Sequence, residues 1–140
     1  MTPIEGEYLT VNPMAIRSDI DVFLKNKRHV TVIESPSYGT VIFVSIGATL
    51  VGRFFFFSLK VSFLIIFNNF FEMNSINFTK NVGDEVKKGE EHGYFAFGGS
   101  TVIVLFQANI TFDDDLVKTS LGSMETLIKM GNRIGVAKKK

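Results

Sequence analysis

The sequence predicts a mainly β fold: an antiparallel β-sandwich or barrel-sandwich-like domain with a short helix near the C-terminus. Short runs of β-branched and aromatic residues alternate with glycines along the chain, which is typical of strands joined by turns. The length of 140 residues suits one domain with a real core. A hydrophobic share of 46% and a charged share of 21% exclude a disordered, charge-driven chain. We therefore expect residues 1–140 to form a single domain.

Individual strands are predicted from local runs. The runs 30–33 and 40–46 flank a turn signal at 36–39 and predict a β-hairpin. The aromatic run 93–97 predicts another strand. The nearly all-apolar run 101–106 has strand length and predicts a strand that is buried on both faces.

The second half of the chain adds three further expectations. Asp113, Asp114 and Asp115 predict the start of a short helix that runs through Ser120, because carboxylates favour helix N-termini. The run 125–130 is interpreted as the last strand. Turn glycines at 83 and 89 enclose Val86, which we expect to be buried between them.

Residues 53–74 differ in composition from the rest of the chain and are interpreted as an insertion into the domain. They hold eight of the fifteen phenylalanines and contain no Gly, Pro, Ala or Asp. Lys60, Asn68 and Asn69 argue against a membrane span, because each is costly in hydrocarbon. The Phe, Lys, Asn and Ile bias is typical of translated AT-rich noncoding sequence, so a retained intron is the leading explanation.

Charge and composition exclude several classes of function. A net charge of +1 disfavours a nucleic-acid binder, which normally carries a basic stripe. The absence of cysteine from the sequence excludes disulfide scaffolds, thiolate zinc sites and cysteine nucleophiles. His29 and His92 are far apart in sequence, so we predict no metal site. We expect His29 at the surface and His92 at the surface or its rim. Asp19 and Asp21 are expected on one face of a strand, in solvent or capping roles.

The sharpest local feature is the tetrapeptide Gly98, Gly99, Ser100 and Thr101. A serine after two glycines can be held in an exposed turn. Glycine has no Cβ, so the Gly99 carbonyl is open to attack by the following hydroxyl. This arrangement suits an N-to-O acyl shift, although the tetrapeptide alone favours an ordinary β-turn.

The segment 83–89 resembles the hairpin of biotinyl and lipoyl carrier domains. At the position where those domains carry their modified lysine, this chain has Gly99 and Ser100. A carrier function is therefore not supported. The comparison instead predicts Ser100 at an exposed hairpin tip between two strands.

Several segments form one combined pattern along the chain: residues 7–18 (EYLTVNPMAIRS), 21–23 with Asn26 and Arg28, 44–52 (VSIGATLVG), 83–101 (GDEVKKGEEHGYFAFGGST), 113–116 (DDDL), Ser120, 125–126 and 131–135 (GNRIG). This combination resembles the phosphatidylserine decarboxylases. The resemblance extends over the whole chain except residues 53–74 and is far more specific than the GGST motif by itself.

The resemblance implies a self-processing enzyme. These proenzymes cleave themselves before the serine of the GGST or LGST motif, which here is the bond between Gly99 and Ser100. The acyl shift gives an ester, β-elimination releases the upstream chain, and Ser100 becomes a pyruvoyl group. The pyruvoyl carbonyl would form a Schiff base with the amine of phosphatidylserine in membranes and yield phosphatidylethanolamine. The implied assembly consists of the α and β chains derived from the proenzyme itself.

The chain departs from the family pattern upstream of the motif at 11–13. The family's catalytic His segment and general-base Asp precede that motif, whereas only ten residues precede Val11 here and none is His. We therefore expect an incomplete fragment that is inactive alone. The GGST form favours a membrane-associated enzyme of the endomembrane type over the mitochondrial LGST type. The alternatives are a soluble amino-acid decarboxylase of the same family and a noncatalytic carrier-like β-domain.

Overall fold

A computed structural model of the chain describes residues 1–48, 76–96, 100–107 and 110–138. Its helices and strands, in chain order, are β1 (Thr2–Ile4), α1 (Pro13–Ile16), α2 (Val22–Lys25), β2 (Arg28–Ser35), β3 (Gly39–Ile46), β4 (Ile76–Phe78), β5 (Gly93–Phe95), β6 (Thr101–Phe106), β7 (Ile110–Phe112), α3 (Asp114–Leu121) and β8 (Gly135–Ala137). The prediction of a mainly antiparallel β fold with a short helix near the C-terminus is confirmed.

The strands form three sheets within the described ranges. One has the order β1-β2-β3-β6, and the others are the pairs β4-β5 and β7-β8. β1 runs antiparallel to β2, with Thr2 opposite Val30. The sheets are not closed into a barrel across the part of the chain that the structure describes. The predicted hairpin at 30–46 is confirmed, since β2 and β3 are neighbours joined by a short turn.

The chain separates into two compact units. Unit 1 consists of the described parts of Met1–Val30 and Val44–Ile103, and unit 2 consists of those of Thr31–Phe43 and Val104–Lys140. The buried apolar side chains described in unit 1 are Val22, Ile46, Ala48 and Ile76, and in unit 2 the corresponding residue is Val41.

Two predictions about strands were wrong. β6 has the predicted bounds, but Val102, Val104 and Leu105 are exposed, because an apolar run does not show whether a layer covers each sheet face. No strand lies at 125–130, and the last described strand is β8. β8 can pair closely with β7 because Gly135 has no Cβ. A Cβ at this position would lie only 2.5 Å from the Thr111 carbonyl oxygen.

The capping predictions had mixed outcomes. Asp19 and Asp21 do not lie on a strand; Asp21 is instead the N-cap of α2, where its Oδ1 accepts a hydrogen bond from the Leu24 N–H at 3.2 Å. The predicted helix is α3, and Asp113 occupies its N-cap position without a side-chain capping bond. Val86 is half-buried rather than buried.

The predicted insertion at 53–74 lies outside the described residues, so it stays a prediction. The structure describes no helix that is both long enough and apolar enough to cross a membrane.

Candidate self-processing site

Ser100 lies immediately before β6 and is half-buried. Its hydroxyl donates a hydrogen bond to the carbonyl oxygen of Ile46, the last residue of β3. Because β3 and β6 are neighbours in one sheet, the end of one strand holds the side chain at the start of the other. Thr101 is the first residue of β6. The other two predicted site residues, Gly98 and Gly99, lie outside the described part of the chain.

The prediction that Ser100 lies at an exposed hairpin tip was wrong. The strands on either side of it, β5 and β6, belong to different sheets: β5 pairs with β4, and β6 with β3. β5 ends at Phe95 and β6 begins at Thr101. Turn residues alone do not determine the partner of each flanking strand, because pairing depends on distant sequence.

The peptide unit that joins Ile46 to Gly47 is held from both sides. Its carbonyl oxygen, that of Ile46, accepts the Ser100 hydroxyl, and its N–H, that of Gly47, donates to the Lys27 carbonyl oxygen at 2.7 Å. Ile46 is only 1% exposed, so both hydrogen bonds lie where water competes little. An amide whose N–H donates to a partner is also polarised toward being a better acceptor at its carbonyl.

Asn26 lies beside this peptide unit and is fully buried at 0% exposure. Its Oδ1 accepts from the Leu9 N–H at 2.8 Å, and its Nδ2 donates to the carbonyl oxygens of Leu9 and Gly47, each at 2.8 Å. Only this orientation of the amide matches one donor and two acceptors. Asn26 therefore links its own segment to Leu9 and to Gly47.

The backbone around Asn26 is fixed by its neighbours. The Glu7 N–H donates to the Lys25 carbonyl at 2.8 Å, and the Lys27 N–H donates to the Glu7 carbonyl at 2.7 Å. Gly6 permits this close approach, since a Cβ there would lie 2.3 Å from the Lys25 carbonyl oxygen. Arg28 adds a hydrogen bond from Nη1 to the Asn26 carbonyl at 3.1 Å.

Sequence reasoning did not identify Asn26 as a site residue, although it named Asn26 and Arg28 within the family pattern. A single asparagine is more often found in a turn or cap than in a core. The available signal was its position between an apolar helix and a β-branched strand, where a polar side chain must find partners if it is buried.

The prediction that His29 lies at the surface was wrong, whereas for His92 the rim of the surface had been predicted as well. Both are half-buried and contact Phe78 of β4: the ring centroids are 5.1 Å apart for His29 and 5.3 Å for His92. Burial lowers the pKa of both imidazoles, and the positive charge of Lys27 lowers the pKa of His29 further, partly offset by Glu5. Within the described residues, the buried Nε2 of His29 has no hydrogen-bond partner. Both side chains therefore favour the neutral form.

Acidic side chains do not assemble a metal site in the part of the chain that the structure describes, where no group of three or more potential ligands occurs. Asp19 and Asp21 line an open surface cavity of about 260 Å³ in unit 1, together with Ile16, Ser18, Ile20, Val22 and Phe23. The carboxylate of Asp21 is already used as a helix cap.

Comparisons with known proteins agree on one family. The family model for phosphatidylserine decarboxylase matches residues 1–136. Phosphatidylserine decarboxylase proenzyme 3 of Schizosaccharomyces pombe is 45% identical over 136 residues, which cover 96% of this chain and 12% of that protein. Proenzyme 2 of Oryza sativa subsp. japonica is also 45% identical over 136 residues, which cover 96% of this chain and 18% of that protein.

A shorter relative is found in Chlamydia trachomatis serovar D. Its phosphatidylserine decarboxylase proenzyme is 38% identical over 133 residues, which cover 94% of this chain and 37% of that protein. The chain thus spans well under half the length of each of these relatives. No solved structure matches the chain.

Proposed function

The chain belongs to the phosphatidylserine decarboxylase family, and we propose that it supplies the self-processing segment of such a proenzyme. In this proposal the bond between Gly99 and Ser100 is cleaved, and Ser100 becomes the pyruvoyl group that serves decarboxylation of phosphatidylserine to phosphatidylethanolamine. The observation that carries the proposal is the hydrogen bond from the Ser100 hydroxyl to the Ile46 carbonyl at the start of β6. This hydrogen bond holds the reacting side chain in one place. The family match, over residues 1–136, includes Ser100.

The cleavage needs no further reactant until its last step, which consumes one water molecule. The Ser100 Oγ bonds to the Gly99 carbonyl carbon while the carbon–nitrogen bond breaks, and the hydroxyl proton ends on the released Ser100 amine. Loss of the Ser100 Cα proton then expels Gly99 as a carboxylate and leaves a dehydroalanine. Water replaces its nitrogen, which departs as ammonia, and the pyruvoyl group remains.

The structure supports the binding part of this chemistry. A backbone carbonyl is a hydrogen-bond acceptor but not a general base, so Ile46 orients the hydroxyl without removing its proton. A hydroxyl is a weak nucleophile until a base activates it. In our proposal that base is the upstream Asp and His that the family resemblance implies.

The residues present fit a pyruvoyl group. Conversion of Ser100 removes the hydroxyl donor from the Ile46 carbonyl, and this buried acceptor then suits an N–H donor such as the amine of the substrate. When formed, the group supplies an electrophilic carbonyl that accepts electrons as the carboxylate of the substrate leaves.

The substrate and location belong to the same proposal. The relatives are phosphatidylserine decarboxylase proenzymes, which supports phosphatidylserine as the substrate and a proenzyme that is processed into its own chains. Phosphatidylserine is a membrane lipid, so we propose that the enzyme acts at a membrane, of the endomembrane type.

A fusion protein tests the proposal. The chain replaces the matching third of the C. trachomatis proenzyme, which is the shortest relative described above. We expect cleavage between Gly99 and Ser100 by mass spectrometry, and release of carbon dioxide from carboxyl-labelled phosphatidylserine in vesicles. Ser100→Ala abolishes both, whereas Ser123→Ala, at an exposed turn, leaves both unchanged. A folded fusion that stays uncleaved, or that prefers free amino acids over the lipid, contradicts the proposal.

A further inference from the structure

We propose that Asn26 is a positioning residue for self-cleavage at Ser100. Its side chain fixes the peptide unit between Ile46 and Gly47, and this peptide unit holds the Ser100 hydroxyl. The cleavage itself rests on the proposed function, but the positioning claim concerns described contacts and can be tested separately. Nothing in the family pattern by itself assigns a role to this side chain.

The Asn26 side chain is held in one orientation. It is 0% exposed, and its Oδ1 and Nδ2 together make three hydrogen bonds at 2.8 Å, to Leu9 and Gly47. A buried amide whose donors and acceptor are all used cannot rotate without leaving polar groups unpaired. The Gly47 carbonyl is therefore held at a fixed position.

The constraint at Gly47 extends to the carbonyl of Ile46. The peptide unit between Ile46 and Gly47 is planar, so its carbonyl and N–H move together. Its N–H is fixed by the Lys27 carbonyl at 2.7 Å, and the next carbonyl, that of Gly47, is fixed by Asn26. Glycine would otherwise allow wide backbone rotation at position 47. Asn26 thus supplies the second point that stops this peptide from turning.

The fixed Ile46 carbonyl in turn restricts the side chain of Ser100. With the Ile46 carbonyl fixed, the hydroxyl that donates to it is confined to one staggered side-chain conformation. Attack on a neighbouring carbonyl carbon requires the oxygen at a separation of about 3–3.5 Å with correct alignment, and a misplacement of about 1 Å can cost roughly 100-fold in rate. Loss of the Asn26 contact should therefore slow the acyl shift even in molecules that remain folded.

A first experiment does not depend on cleavage. In the 140-residue chain, Ser100→Ala should shift the carbonyl-carbon NMR resonance of Ile46, because the hydroxyl donor is lost. In an Asn26→Ser background, where the side chain is too short to reach the Gly47 carbonyl, the same substitution should leave that resonance nearly unchanged. The matched control is Asn12→Ser, since Asn12 is an exposed cap of α1. An equal shift in all backgrounds overturns the positioning role.

A second experiment measures the rate in the fusion protein. We expect Asn26→Ser to slow cleavage by roughly 10- to 100-fold relative to Asn12→Ser. Hydroxylamine, which cleaves esters, should not restore the rate, because the defect precedes ester formation. Rescue by hydroxylamine would place the defect after the acyl shift, and cleavage of Asn26→Ser at the rate of Asn12→Ser would show that the contact does not position Ser100; either result overturns the proposal.

Folding is controlled by a second variant. Asn26→Asp keeps the Oδ1 acceptor for the Leu9 N–H and removes the donor to the Gly47 carbonyl. Thermal unfolding of each variant shows which remains folded at the assay temperature, and the rate comparison uses that one. If the parent fusion does not cleave at all, the proposed function fails, while the NMR comparison still decides the role of Asn26.

Discussion

The two compact units of the chain differ in how much they bury. Unit 1 buries a polar side chain completely, Asn26, beside the apolar Ile46. In unit 2, none of the described residues from 104 to 138 is buried, and Leu127 is 94% exposed. The contrast indicates that geometric precision is concentrated around Ser100 in unit 1.

The part of unit 2 from Val104 onward is joined by strand pairing, ring contacts and an ion pair. β7 pairs with β8, and Phe106 lies between Tyr38 and Phe112 with ring centroids 5.9 Å and 6.0 Å away. Asp113 and Arg133 form a two-point ion pair, with both nitrogen–oxygen distances at 3.0 Å. These contacts connect residues of unit 2 without burying any of the described residues from 104 to 138.

The largest expected effect is the difference in the free energy of unfolding between two variants, each with one apolar residue replaced in one unit. Ile76→Ala removes a side chain that is 3% exposed in unit 1 and should lower the free energy of unfolding by roughly 2–5 kcal/mol. Leu127→Ala, in unit 2, should change it by no more than about 0.5 kcal/mol. Urea unfolding of both variants measures the difference. Equal losses would show that the exposed segment carries as much packing as the core of unit 1.

A smaller effect concerns the two histidines of unit 1. Their pKa values are lowered by burial, so below the ordinary value of 6.5 the unfolded chain binds protons that the folded chain does not. Folding stability should therefore fall as the pH decreases from about 6.5. The double variant His29→Gln with His92→Gln should weaken this dependence, as measured by thermal unfolding across the same range. An unchanged pH slope would contradict the burial of the imidazoles.

The smallest expected effect concerns the ion pair of unit 2. Arg133→Gln removes both bonds to Asp113 at the N-cap of α3, and the loss of stability should be smaller than for either change above because Arg133 is exposed. High salt should reduce the difference between the variant and the parent, since salt screens exposed pairs. Thermal unfolding at low and high salt checks this, and a difference that persists in high salt would contradict a screened surface pair.

Local patterns predicted the strands that depend on local sequence. β-branched runs and a turn signal identified the hairpin at 30–46, and an apolar run gave the bounds of β6. The exposure of β6 could not be predicted, because it depends on which layers cover the sheet. Likewise the run at 125–130 has strand-like composition but forms no strand in the described structure, whereas β8 pairs with β7.

The candidate site was predicted only at its centre. The tetrapeptide raised Ser100 as a candidate, and the family resemblance implied its role, which stays a prediction. The partners of Ser100 could not be predicted, because Ile46 acts through its backbone carbonyl, which every residue has. Asn26 contacts residues 17 and 21 positions away, so its role depends on the tertiary fold.

We propose that this chain processes itself at Ser100, and intact-mass spectrometry of the fusion protein measures this without any assay of activity. We expect two products divided between Gly99 and Ser100, with the downstream product lighter by one ammonia than a fragment that begins with serine. A single intact mass in a folded fusion, or a downstream fragment that begins with an unmodified serine, would show that Ser100 is not converted.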